Sequence, residues 1–268
     1  MKSLEAELAA ARDLDVADLA DAIESIGFEC TRCGGCCTGY APDEPGGAPA
    51  GEGAGDGAEE DASGADGCHD GADDAPSDGA DREPHTATVF PDEVRRVADA
   101  AEDESGEAYD WRDVARPMPF GLDADADGDL TGETFEWAIA TDGCGDCTFY
   151  EESNGEGACT VHDARPLICR TYPFSVALEG TSQPMGEAVD EAGVVRAHEC
   201  EGLGRDISRE DAEELAAALK ERAVRELEEA IGVRDGYDPA ARERADGDVV
   251  VFDSEGPKEA DGTPIDGE

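Results

Sequence analysis

Four of the chain's ten cysteines fall within eight residues, Cys30-Thr-Arg-Cys33-Gly-Gly-Cys36-Cys37. The two glycines let the backbone turn back on itself between the second and third thiols. Disulfides alone do not relieve such crowding. Cys36 and Cys37 are adjacent, and the others are too close for relaxed bridge geometry. A soft metal centre does relieve it, because thiolate is the preferred ligand of zinc and of iron–sulfur clusters.

More thiols follow over a hundred residues later, in Cys144-Gly-Asp-Cys147, Cys159-Thr-Val-His162, Arg165-Pro166-Leu-Ile-Cys169-Arg170 and Cys200-Glu-Gly202. Two four-thiolate sites need eight cysteines. The candidate metal-binding residues are therefore Cys30, Cys33, Cys36, Cys37, Cys147, Cys159, Cys169 and Cys200, with Cys144 as a ninth thiol. A C-x2-C turn aims both sulfurs at one ion, which suits zinc, and a C-x2-C-x2-C run suits an iron–sulfur cluster. Cys36 and Cys37 point different ways along the backbone, so they serve either two neighbouring sites or two sides of one cluster. Spacing alone leaves zinc, iron and iron–sulfur open.

Other polar residues have plainer readings. His162 reads as a structural imidazole beside the site, and Cys68-His69 as an incidental exposed pair. Arg165 and Arg170 either donate hydrogen bonds to cluster sulfurs, which raises a reduction potential, or form salt bridges. The run Asp123-Ala-Asp125-Ala-Asp127-Gly128 matches the start of a calcium loop, but Thr134 stands where the bidentate Glu belongs and no helix enters it. It reads as an acidic hairpin turn. The sequence contains no Ser-His-Asp set, P-loop or HExxH segment, so catalytic residues remain unassigned.

The formal net charge is −49, from 69 acids against 20 bases. Such an excess, spread along an Ala- and Gly-rich chain, resembles the proteins of salt-loving archaea. There the screening length falls to about 3 Å in molar salt. The charge argues against nucleic acid, which needs a basic stripe, and against an anionic membrane surface. No apolar run reaches transmembrane length, and the start of the chain lacks a signal-peptide core. The expected location is cytoplasmic, where cysteines serve metal or redox chemistry rather than a disulfide framework.

The elements that must position these thiols are short. Leu4, Leu8, Leu19, Ile23 and Ile26 recur at helical spacing before the first thiols, with a break near Asp13–Asp15 and a stop at Gly27. Residues 41–84 contain no Val, Ile, Leu, Met or aromatic residue, so they read as a disordered acidic insertion. Thr86–Phe90 reads as a strand and Pro91 as a first helical position. Residues 102–119 read as a loop, 120–140 as a hairpin, and 175–199 as a strand or two. Ser208 opens a helix whose stripe of Leu215, Leu219, Leu227 and Ile231 ends at Gly232. Beyond it lies a mostly disordered tail with one strand-like run at Val249–Phe252.

The ordered set Cys30-x2-Cys33-Gly-x-Cys36-Cys37, Cys147-x-Phe149, Cys159-x-Val161-His162, Arg165-Pro166-x2-Cys169-Arg170-x-Tyr172-Pro173 and Cys200-x-Gly202-x-Gly204 resembles the YkgJ-like cysteine-cluster family, named for its CxxCxxCC motif. The resemblance implies a zinc- or iron-chelating domain over 28–204 with eight cysteine ligands, all of them present here. The expected organisation is a helix over 1–27, this domain with its insertion at 41–84, a helix over 205–235, and a tail over 236–268. The expected fold class is α+β: a small metal-stapled domain with N- and C-terminal helices, a short hairpin and much irregular structure. The expected function is a metal-binding redox or metal-handling module, with a redox partner protein if it carries electrons. The alternative is an iron–sulfur oxidoreductase or a protein lysine methylase-like enzyme, since some relatives in the family act on flagellin lysines.

Overall fold

Asp13–Asp15 do interrupt the first amphipathic stretch. In the computed structural model, α1 (Leu4–Arg12) ends there, and the Asp15 carboxylate accepts from the Ala17 and Asp18 amides to start α2 (Val16–Ile26). The structure describes residues 3–40, 83–124, 129–153, 156–178, 188–190 and 193–265. The expected insertion falls almost wholly outside these residues, as do Cys68 and the centre of the acidic turn.

After the insertion, β1 (Thr88–Val89) leads into α3 (Pro91–Ser105), with Pro91 at its first turn as expected. The Glu93 carboxylate, fully buried, accepts from the Phe90 amide at 3.2 Å and the Leu167 amide at 3.0 Å. Its charge is matched by Arg96 at 3.1 Å. The supposed loop at 102–119 carries two further elements, α4 (Trp111–Val114) and β2 (Ala115–Pro117). The prolines there do not exclude a helix that ends before them; Asp110 caps it.

The hairpin expected at 120–140 is shorter than its alternation suggested. Only β3 (Leu122–Ala124) and β4 (Leu130–Thr134) pair as one. The chain then crosses to a different sheet, where β5 (Trp137–Ile139) lies between β1 and β2. Phe135 stays half exposed while Trp137 is buried, so the apparent alternating face is divided between two layers.

Next come a two-stranded ribbon, β6 (Tyr150–Ser153) with β7 (Glu156–Cys159), a 3-10 turn at His162–Ala164, and α5 (Leu167–Thr171). A small antiparallel sheet follows from β8 (Phe174–Val176), β9 (Ala188–Asp190) and β10 (Val195–His198), in the order β8-β10-β9.

Ser208 opens α6 (Arg209–Gly236) by accepting from the Asp211 amide. The helix does not stop at Gly232. It continues four residues to Gly236, and Gly232 within it admits the close approach of Ser254, whose Cβ would be 2.6 Å from any added side-chain carbon. The segment beyond Gly236, expected to be mostly disordered, carries α7 (Ala241–Arg244), β11 (Val249–Asp253) and β12 (Gly256–Glu259). β11 pairs antiparallel with β12 and parallel with β4, which completes a sheet ordered β12-β11-β4-β3. Mixed helices, several small sheets and much irregular chain make this an α+β fold.

Two main cores result. In the first, Leu19 and Ile23 of α2 meet Ala212, Ala216 and Leu219 of α6, and Phe174 and Val195 close the far side. The alanines let the helices approach closely. Arg222, 1% exposed, crosses under this core, with Nε donating to Glu226 at 2.7 Å and a guanidinium nitrogen to Thr171 Oγ1 and the Phe174 carbonyl. In the second core, Val94 and Val97 of α3 pack on Trp137, Ile139, Phe149 and Val251. Trp137 Nε1 donates to Asp253 Oδ2 at 2.9 Å, and Asp253 pairs with buried Lys258. The indoles of Trp111 and Trp137 meet edge to face at 5.0 Å.

Candidate metal centre

The short thiol stretch lies at the seam between these cores, held there by backbone rather than by its own side chains. On one side, Phe28 bridges to Leu203, the Glu29 amide donates to the Gly202 carbonyl at 3.0 Å, and the Gly204 amide to Gly27 at 3.0 Å. These contacts bring Cys30 and Cys200 to one strap. The approach needs Gly202: a Cβ there would lie 2.3 Å from the Glu29 carbonyl oxygen. The Gly202 amide donates to Cys200 Sγ at 3.4 Å, which orients that sulfur.

On the other side the stretch is sewn to the second thiol region. The Cys147 amide donates to the Cys37 carbonyl at 2.7 Å, and the Gly39 amide to buried Asp146 at 2.7 Å. The Gly157 amide donates to the Arg32 carbonyl at 2.8 Å. Arg32 holds a left-handed backbone (φ 59°), a costly state for a residue with a Cβ and one seen where surroundings enforce it. The β6–β7 ribbon sets Cys159 opposite Tyr150. Tyr150 covers Gly34 and Gly157 so closely that a Cβ on either would clash with its ring or hydroxyl. Cys169 sits on α5, and its side packs with Cys147 and Cys159 against the second core.

All eight sequence-predicted ligands are free thiols. Cys30 and Cys33 are exposed, and the other six are partly buried. Cys144 is disulfide-bonded, so the ninth thiol stands outside the set. His162 faces solvent, 3.4 Å from Asp163. Arg165 donates to the His162 carbonyl at 2.9 Å; its positive charge adds to the lowering of Cys36 and partly offsets the burial that raises Cys159 and Cys169. Sequence reasoning missed Tyr150, Asp146 and the Arg32 turn.

The thiols influence one another strongly. Cys36 and Cys37 lie with sulfurs 3.7 Å apart, and their hydrogen bond holds Cys36 down to about 7 while raising Cys37. Burial pushes Cys147 up to about 12 and Cys169 well above its ordinary value, and it raises Cys159 and Cys200 as well. Such a set stays protonated in low dielectric unless a cation offsets the charge, and a bound metal does that while releasing protons. The donor chemistry therefore fits a soft metal. Among the described residues, no group of three or more His, Cys, Asp or Glu side chains stands in ligating geometry.

No helix of the described residues is long and apolar enough to cross a membrane. Comparison with curated proteins and with solved structures gives no match. A family model does match, over residues 29–201, which is well over half of the chain and spans all eight free thiols. On that match, the chain belongs to the CxxCxxCC family, described as a "Putative zinc- or iron-chelating domain".

Proposed function

We propose that this chain holds zinc, iron or an iron–sulfur cluster through Cys30, Cys33, Cys36, Cys37, Cys147, Cys159, Cys169 and Cys200, and works as a redox or metal-handling module. One observation carries the reading. The described residues hold eight free thiols in five separate stretches of chain, six of them partly buried; backbone hydrogen bonds tie Cys37 to Cys147 and the neighbour of Cys30 to Gly202, and Cys147, Cys159 and Cys169 pack against one core, while the remaining described cysteine is in a disulfide. Packing alone does not gather eight thiols: buried cysteines are small hydrophobes that gain nothing from each other's company. Burial also raises the pKa values of Cys147, Cys159, Cys169 and Cys200, which is unfavourable at neutral pH for any thiolate that lacks a compensating cation.

Exposure of Cys30 and Cys33 supports exchange with the outside, whether of an ion or of an electron with a partner protein. The experiment is purification without oxygen, followed by metal analysis, acid-labile sulfide assay and a visible spectrum. The expected result is at least one zinc or iron per chain, with sulfide in step with iron if the centre is a cluster. A folded chain with no metal after expression in metal-replete medium overturns the reading.

A further inference from the structure

We infer that Cys36 and Cys37 are an oxidative modification site: a dithiol that a peroxide closes into a reversible vicinal disulfide, withdrawing two sulfurs from the metal-binding set. The bridge itself stands on the geometry of the pair. Its effect on metal rests on the metal-binding reading above.

The two sulfurs are already in contact, 3.7 Å apart, on neighbouring residues that are both partly buried. The backbone beneath them is fixed from both ends. Before the pair, the Cys37 amide donates to the Gly34 carbonyl at 2.7 Å, which closes a turn that starts from the left-handed Gly34 (φ 78°). After it, the Cys37 carbonyl accepts from the Cys147 amide at 2.7 Å, and the Gly39 amide donates to buried Asp146 at 2.7 Å. The contact therefore belongs to a tied turn and not to a free loop. Cys30 and Cys33 differ, because both are exposed. A partly buried pair admits a small oxidant more readily than a bulky outside thiol, and each sulfur meets its neighbour first.

One sulfur of the pair attacks a peroxide oxygen. The O–O bond breaks, one oxygen leaves as water, and a sulfenic acid forms. The neighbouring thiol then attacks that sulfur: the S–S bond forms, the S–O bond breaks, and the hydroxide leaves as water with the second thiol's proton. Two electrons pass from the pair to the peroxide. Closing the bridge takes the sulfurs from 3.7 Å to about 2.05 Å. The product is strained, because adjacent Cα atoms are about 3.8 Å apart while a relaxed bridge spans about 4.4–6.8 Å. Strained disulfides are the easily reduced ones, so a dithiol reductant returns both thiols. A metal ligand must be a thiolate, so the bridge removes two ligands in one step.

The test uses the full chain, stripped of metal without oxygen and treated with stoichiometric hydrogen peroxide. Its remaining thiols are alkylated and its peptides mapped by mass spectrometry. The expected product is a Cys36–Cys37 bridge, lighter than the reduced pair by two hydrogens, with Cys33 alkylated and the bridge reversed by dithiothreitol. Zinc capacity is expected to fall by about two-fold or more on oxidation and to return with dithiothreitol. Zinc loaded beforehand is expected to slow the bridging by about ten-fold. Cys37→Ser is expected to leave a sulfenic acid at Cys36 that dimedone traps, and the wild-type map stands whether or not this variant folds. No bridge, a bridge from either residue to another cysteine, or sulfinic acid in place of the bridge overturns the inference, as does a bridged chain with undiminished zinc capacity. A reduced chain that binds neither zinc nor iron but still forms the bridge overturns the metal reading instead, a result distinct from these.

Discussion

The two cores face the thiol seam in different ways. The first closes on itself: α1 and α2 pack on α6, and the sheet of β8, β9 and β10 covers the end, with no cysteine among the residues that build it. The second uses Cys147, Cys159 and Cys169 as part of its own wall. A metal bound by these thiols would therefore complete the wall of the second core, while touching the first only through the Phe28–Leu203 strap. The lesson is that loss of metal should be felt unevenly, with the strand-rich half losing more than the helical half.

Mutations can sharpen that contrast. The largest effect is expected at Trp137, buried in the second core and bonded to Asp253. Trp137→Ala should cost about 3–5 kcal/mol in urea unfolding, and it leaves buried Asp253 with one partner fewer. If the second core depends on metal, the cost should be larger when read on loaded protein than on stripped protein, whose second core is already loosened. Equal costs in both forms would argue that metal does not support this core.

A pH titration addresses the same half of the molecule. Burial depresses His85 to about 4, and the Arg116 guanidinium beside it adds to the shift. The folded value lies below the ordinary 6.5, so the stability this group contributes is present above about 6.5 and is lost as pH falls through about 4. The full loss is on the order of 3 kcal/mol. His85→Gln should flatten that part of the stability–pH curve. An unchanged slope between pH 6.5 and 4 would show that His85 is not buried neutral.

A smaller effect is expected at the strap. Gly202→Ala pushes a Cβ into the Glu29 carbonyl, and the strap should yield at a cost of about 1–3 kcal/mol. Its signature is local: faster chelator access with the melting of α2 and α6 unchanged. A global loss of helix would mean that the strap is part of the first core after all.

Much of this was legible in the chain itself. The thiols announce their chemistry by type and spacing, and Asp15, Pro91 and Ser208 mark helix starts through backbone rules that act within four residues. What could not be read depends on partners far along the chain. Gly232 resembles a helix stop until Ser254 is seen against it. Val249–Phe252 is visibly strand-like, but only its parallel pairing with β4 and the Trp137–Asp253 bond show why an acidic terminal segment is ordered. The alternation of Phe135, Trp137 and Ile139 suggested one hairpin arm because periodicity does not record a change of sheet. Tyr150 gave no local signal at all. Its role comes from covering Gly34, which lies more than a hundred residues earlier. Cys144 carries the same side chain as the ligands, and composition does not separate a disulfide cysteine from a metal-binding one.

The central claim is that a thiol-bound metal closes the seam between the cores. Amide hydrogen exchange on the loaded chain, before and after chelation, tests it most directly. The account predicts that protection falls on chelation at Cys37, Cys147, Gly157 and Thr160, whose amides hold the seam and its ribbon, while Leu19, Ile23 and Leu219 in the helical core stay protected. Protection that is unchanged at the seam amides after complete metal removal would contradict it.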